Sequence, residues 1–77
     1  MKLYRVDFES RLYVAATNPR EAEDIARHKA AAEVAQSGVG RVYPAKEIHY
    51  PEFVEDGWVN ALPYGDNGGR TCAEIVR

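Results

Sequence analysis

Two histidines, one cysteine and twelve carboxylates are the side chains of this 77-residue chain best suited to acid–base, nucleophilic or metal chemistry. Their spacing decides what they can do. His28, His49 and Cys72 could together supply three zinc ligands, but structural zinc sites are built on closely spaced ligand pairs, and no such pair occurs here. Cys72 as a nucleophile would need a base beside it, and nothing near it in sequence orients one. A Cys on a core or sheet face is the simpler expectation. Seven of the twelve carboxylates fall into two groups, Glu21, Glu23 and Asp24, then Glu47, Glu52, Glu55 and Asp56. Two such groups can work as acid and base on a glycosidic bond. So short a chain, however, leaves little room for a pocket that buries a substrate, and solvated faces are expected instead. The run "YGDNGGR" (64–70) invites a phosphate or calcium reading. It lacks the Lys-Ser/Thr of a phosphate-binding loop, and the spacing and distal Glu of an EF-hand. It reads as a loop whose Tyr64, Asp66, Asn67 and Arg70 are free to carry contacts. The expectation is a protein that is not an enzyme and holds no metal or cofactor.

The aromatic residues point elsewhere. Tyr4 and Phe8 suit a core face. Tyr13, Tyr43, Tyr50, Trp58 and Tyr64 are too many to bury beneath one alanine-rich helix. Tyr and Trp concentrate at the energetic centres of protein interfaces. Alternatively, these rings simply roof a small core. Together with the second acidic group they define a candidate partner-binding set: Glu47, Glu52, Glu55, Asp56 and Trp58.

Composition bounds the class. A net charge of −2 and a pI of about 5.6 argue against direct nucleic-acid binding, which takes a basic stripe. A single cysteine excludes an internal disulfide and suits a reducing cytoplasm. No apolar run approaches the ~20 residues of a membrane span, and "MKLYRVDFE" has no hydrophobic stretch of the kind a signal peptide carries. The hydrophobic fraction is 45%, much of it Ala, which fills little volume. A single domain over 1–77 with one thin core is expected. Such a domain is marginal alone, so a partner, or weak homodimerisation, is expected too.

The elements that must position these residues follow from the pattern. Tyr4, Val6 and Phe8 alternate with Leu3, Arg5 and Asp7, and Leu12, Val14 and Ala16 alternate again, as in half-buried strands. A three-residue loop at Glu9-Ser10-Arg11 pairs Phe8 with Leu12, Val6 with Val14 and Tyr4 with Ala16, placing all six on one face. One long strand bent through Ser10 keeps the same parity. Asn18 as N-cap, Pro19 at the first helical position and Glu21 three residues after the cap start a helix. It is expected to run to Gln36-Ser37 and stop at Gly38. Its apolar face is Ala22, Ile25, Ala26 and Ala32, with Ala35 further round. "GVGRVYPAKEIHYP" returns to strand, and Pro44 and Pro51 confine it to an edge or to two short pieces. Asp56-Gly57 between "FVE" and "WVNAL" reads as a hairpin with a type I′ turn. "TCAEIVR" alternates as a closing strand, while Thr71 and Glu74 also form a capping box for a short helix; strand is favoured. The sum is α+β: an antiparallel sheet of four to five strands with one helix on one face, in the order β-β-α-β-β, with a fifth strand where 71–77 is one.

The opening, Tyr4-Val6-Phe8, then Val14-Ala16, then Glu21-Ala22-Ile25-Ala26, resembles that of small proteins encoded by phages and mobile elements, anti-CRISPR inhibitors among them. The resemblance covers about the first 38 residues and extends to the rest by strand order. It implies a phage-encoded stoichiometric inhibitor in the host bacterial cytoplasm, bound to subunits of a CRISPR effector complex so as to block its nucleic-acid binding. Glu47, Glu52, Glu55 and Asp56 would then pair with cations in place of phosphates, and Trp58 would anchor the contact. A self-associating phage accessory module, pairing through a terminal strand, is the alternative.

Overall fold

A computed structural model describes residues 1–8, 10–29 and 42–77, the side chain of Lys29 excepted. Strands β1 (Lys2–Asp7) and β2 (Arg11–Ala16) form the centre of a four-stranded sheet of order β3-β1-β2-β4, with β3 (Lys46–Ile48) and β4 (Tyr64–Gly65) on its edges. Helix α1 (Pro19–Lys29) follows β2. The segment from β3 to β4 carries a 3₁₀ turn (Pro51–Phe53) and a single helical turn α2 (Asp56–Val59), and α3 (Cys72–Val76) ends the chain. The protein is α+β, as its pattern predicts.

The central hairpin keeps the predicted parity but not the predicted register. Val6 lies opposite Leu12, Tyr4 opposite Val14 and Lys2 opposite Ala16. The last pair is Asp7 with Arg11, so the loop begins at Phe8 rather than at Glu9. The Phe8 amide donates to the Ser10 carbonyl at 2.9 Å, which closes the loop one residue early and shifts every pair by two. A shift of two preserves the face of each side chain. Tyr4, Val6, Leu12, Val14 and Ala16 therefore still form one apolar layer, with Phe8 half-buried at its margin. Adjacent antiparallel strands also rule out a single bent one.

Helix α1 covers that layer. Asn18 caps it, its Oδ1 accepting from the Glu21 amide at 2.8 Å, while the Glu21 carboxylate accepts from the Thr17 amide at 3.1 Å and the Thr17 hydroxyl at 3.2 Å. Ala22 and Ala26 are fully buried against the sheet, with Ile25 packed beside them. Glu23 extends the helix's hold on the chain by accepting from the Ala45 amide at 2.9 Å. The expected continuation to Ser37, with Ala32, Ala35 and the stop at Gly38, lies outside the described residues.

Two predicted elements are overturned. Asp56-Gly57 turns no hairpin. A type I′ turn needs positive φ at both central residues, and Gly57 is not among the positive-φ glycines. The Glu55 carbonyl instead accepts from the Trp58 amide at 2.8 Å and the Val59 amide at 3.1 Å, making α2. Asp56 at its first position is where a helix dipole favours a carboxylate. The terminal segment is likewise helical, not a strand. Thr71 and Glu74 form a complete capping box: Glu74 Oε1 accepts from the Thr71 amide at 2.8 Å, and Thr71 Oγ1 accepts from the Glu74 amide at 3.3 Å. Two satisfied backbone donors outweigh an alternation only a few residues long.

Consequently the sheet is mixed rather than purely antiparallel. β4 does not fold back from a hairpin; it arrives beside β2 in parallel, with Val14 opposite Tyr64 and Ala15 opposite Gly65. β3 pairs antiparallel with β1 and sits on an edge, flanked by Pro44 and Pro51 as expected. The second face is not left open either. Leu3, Tyr13 and Ile48 project from it into a second cluster with Val54 and Cys72, and Trp58, Val59, Ile75 and Val76 pack around them. Tyr13, one of the five rings too many to bury beneath one helix, is 0% exposed in this second cluster.

Candidate functional site

The segment from β3 to α2 holds all five residues expected to meet a partner. It begins with Lys46–Ile48 on the sheet edge, where Ile48 faces the second cluster and is buried. Glu47, opposite Tyr4, lies 3.8 Å from Lys2 Nζ and 3.4 Å from His49 Nδ1. Its charge is thus met within the chain. The edge ends at Tyr50, and Pro51 opens the 3₁₀ turn, where its missing amide and fixed φ are no handicap. The Phe53 amide donates to the Tyr50 carbonyl at 3.1 Å and the Val54 amide to the Pro51 carbonyl at 3.0 Å.

Val54 then turns inward and is buried, which pins the turn to the core. The adjacent Glu55 amide donates to the Tyr13 hydroxyl at 3.1 Å. That bond satisfies the one polar atom of a ring otherwise enclosed by apolar groups. The Glu55 side chain reaches Arg11 at 3.2 Å. Trp58, half-buried, stands between Tyr13 at 5.3 Å and Tyr64 at 6.3 Å, both tilted by 51°. Edge-inclined pairs at these distances add to the gain from burial. Much of the indole therefore serves the core and only part of it faces outward.

Of the five residues, Glu47 and Glu55 are engaged in ion pairs, and Trp58 is engaged in ring packing. Glu52 and Asp56 are exposed and have no ion-pair partner among the described residues. The large apolar side chains left most open lie outside that set of five. Tyr50 is 58% and Phe53 62% exposed, with ring centroids 6.1 Å apart and planes inclined by 58°. The signal for them was present in "YPEF". A Pro at the start of a short turn favours 3₁₀ geometry, which stacks residues three apart on one side.

His28 is exposed on α1 and His49 at the end of β3. Cys72 is fully buried at the start of α3, and burial pushes its thiol up to about 11. Among the described residues, no group of three or more His, Cys, Asp or Glu is arranged to hold a metal ion. The loop after β4 is knit around Asn67: its Nδ2 donates to the Pro63 carbonyl at 2.8 Å, and its Oδ1 accepts from the Gly69 amide at 2.7 Å. A cleft of about 330 Å³ opens beside that loop, lined by Met1, Ala15, Ala16, Thr17, Glu21 and Asp66. Its Thr17 and Glu21 are already bonded to each other at the mouth of α1. No described helix is long and apolar enough to cross a membrane. No family model, curated protein or solved structure matches the chain.

Proposed function

We propose that the chain is a non-enzymatic inhibitor that acts by binding a protein complex and blocking its hold on nucleic acid. A CRISPR effector in a bacterial host is the partner that its resemblance to phage anti-CRISPR proteins implies. One observation carries the reading: large apolar side chains remain at the surface although the core has places for many others. Tyr43, Tyr50, Phe53 and Leu62 are each more than half exposed, and all lie between residues 43 and 62. The same stretch supplies the acidic residues Glu47, Glu52, Glu55 and Asp56. Single exposed apolar residues are ordinary, whereas adjacent ones such as Tyr50 and Phe53 mark an interaction surface. Aromatic anchors beside carboxylates suit a cationic protein groove that otherwise holds phosphates.

The test is to titrate purified chain into a purified multi-subunit effector with labelled target DNA, following DNA binding by anisotropy. Loss of DNA binding at near-equimolar chain, with co-elution of chain and effector, is the expected result. Undisturbed DNA binding across effector types, with no co-elution, would sink the anti-CRISPR assignment.

A further inference from the structure

We infer that the Tyr50–Phe53 turn is the contact surface and that it takes a partner protein presenting an apolar notch edged by Lys or Arg side chains. This inference rests on the protein-binding reading and narrows it to one surface and one chemistry.

The two rings share one side of a single 3₁₀ turn. They touch each other, yet each leaves more than half of its surface in water. The turn that carries them is held at four points. Pro51 fixes its entry, two backbone hydrogen bonds at 3.1 and 3.0 Å close it, and buried Val54 anchors its exit. Rings on so fixed a backbone lose little freedom when a partner covers them, and such preorganisation is what turns area into affinity. Tyr43 is exposed to a similar degree, but no ring pairs with it among the described residues, and it lacks a comparable turn.

Charge selects the partner. Glu52 lies between the two rings in sequence and Asp56 follows shortly after. Neither is spent on an ion pair among the described residues, whereas Glu47 and Glu55 nearby are. A polyphosphate backbone would be repelled by this rim. In a symmetric self-pairing the two Glu52 side chains would be brought toward each other, since such an interface repeats the same patch on both copies. A cationic protein surface is the class whose charge fits, and its Lys and Arg side chains would lie over the ring faces as well.

The experiment compares the wild-type chain with Tyr50→Ala/Phe53→Ala, Glu52→Lys and a control on the opposite layer, Arg20→Glu. Each is immobilised in a bacterial lysate, with quantitative mass spectrometry of what is retained and light scattering of the free chain. Since both rings are exposed, the double variant is expected to melt within a few degrees of wild type, which shows that it is folded. The expected result is a retained protein whose recovery falls about thirty-fold in the double variant, as for an interface hot spot. Recovery should fall several-fold in Glu52→Lys and in raised salt, and stay within about two-fold in Arg20→Glu. A benzoylphenylalanine at position 53 should crosslink to a Lys- or Arg-bearing peptide of that same protein. Retention indifferent to the double variant overturns the surface while leaving protein binding standing. Retention that depends on the rings but rises with Glu52→Lys overturns the partner chemistry. A dimer lost in the double variant assigns the surface to a second copy and overturns the inference. No specific retention at all overturns both the surface and the reading beneath it.

Discussion

At the scale of single residues, one hydroxyl and one thiol show how little of this core is idle. The Tyr13 hydroxyl takes the Glu55 amide and so ties the last third of the chain to the central strand. Tyr13→Phe keeps the ring packing on Trp58 and leaves that amide without its partner. A loss of about 1 kcal/mol is expected, read from urea unfolding; an unchanged midpoint would show that the bond contributes nothing. Cys72, fully enclosed and with its thiol pushed up to about 11, is a core residue. In the native chain only about one molecule in a thousand would carry the thiolate at pH 8. A thiol reagent should therefore react with the native chain far more slowly than with the chain in denaturant, and equal rates would contradict the burial. Trp58 is the instructive case for the candidate set. Its type suggested an exposed anchor. Its position after a tight turn could not reveal that Tyr13 and Tyr64 come from distant segments to flank it.

At the scale of elements, local chemistry was legible where it was self-contained. Asn18, Pro19 and Glu21 announce α1 because the cap is complete within four residues. The capping box at Thr71 was equally visible, but it competed with an alternation that has no partner strand to pair with. Its pH dependence follows from geometry. Hydrogen bonds from the Thr71 backbone and side chain, with Arg77 and Arg70 nearby, hold the Glu74 carboxyl below its ordinary 4.5. A carboxyl lowered in the folded state stabilises above its unfolded value and loses that contribution as pH falls through the folded one. Unfolding midpoints should drop as pH falls below about 5, and less so in Glu74→Gln. An identical drop in both chains would place the effect elsewhere. β4 depends on a residue rather than a cap. Gly65 has φ of 88°, and a β-carbon there would collide with the Ala15 carbonyl oxygen. Gly65→Ala is expected to lose about 2 kcal/mol or more, measured by thermal melting; a wild-type melting temperature would mean that β4 contributes little. The two-residue length of β4 is also why the sequence did not disclose it: no periodicity can be read from Tyr64-Gly65.

At the scale of the whole molecule, the sheet is a partition between two apolar clusters. Tyr4, Val6, Leu12 and Val14 fill one, and Leu3, Tyr13, Ile48, Val54 and Cys72 fill the other. Residues 12–16 are all buried, so β2 is covered on both faces. The run "LYVAA" carried that information, since strands buried on both sides are continuously apolar. Its alternating members alone suggest a one-sided sheet. The identity of the second roof was not legible, because it is assembled from pieces too short to show a period: a 3₁₀ turn, one helical turn and a five-residue helix. Since both clusters use the same two strands, they should not melt apart. Trp58 fluorescence and far-ultraviolet circular dichroism are expected to give coincident urea transitions; separated midpoints would reveal two units.

That the second cluster is closed by residues late in the chain bears on events during synthesis. The hairpin and the first turns of α1 are complete within the first 29 residues, and domains begin to fold from the end made first. One side of that early sheet, with Leu3 and Tyr13, waits for Val54, Trp58 and Cys72 to emerge. Until residue 76 has left the ribosome, the nascent chain carries an adhesive surface that the finished molecule hides. A ribosome stalled after Tyr64 would hold a product prone to aggregation or to chaperone capture.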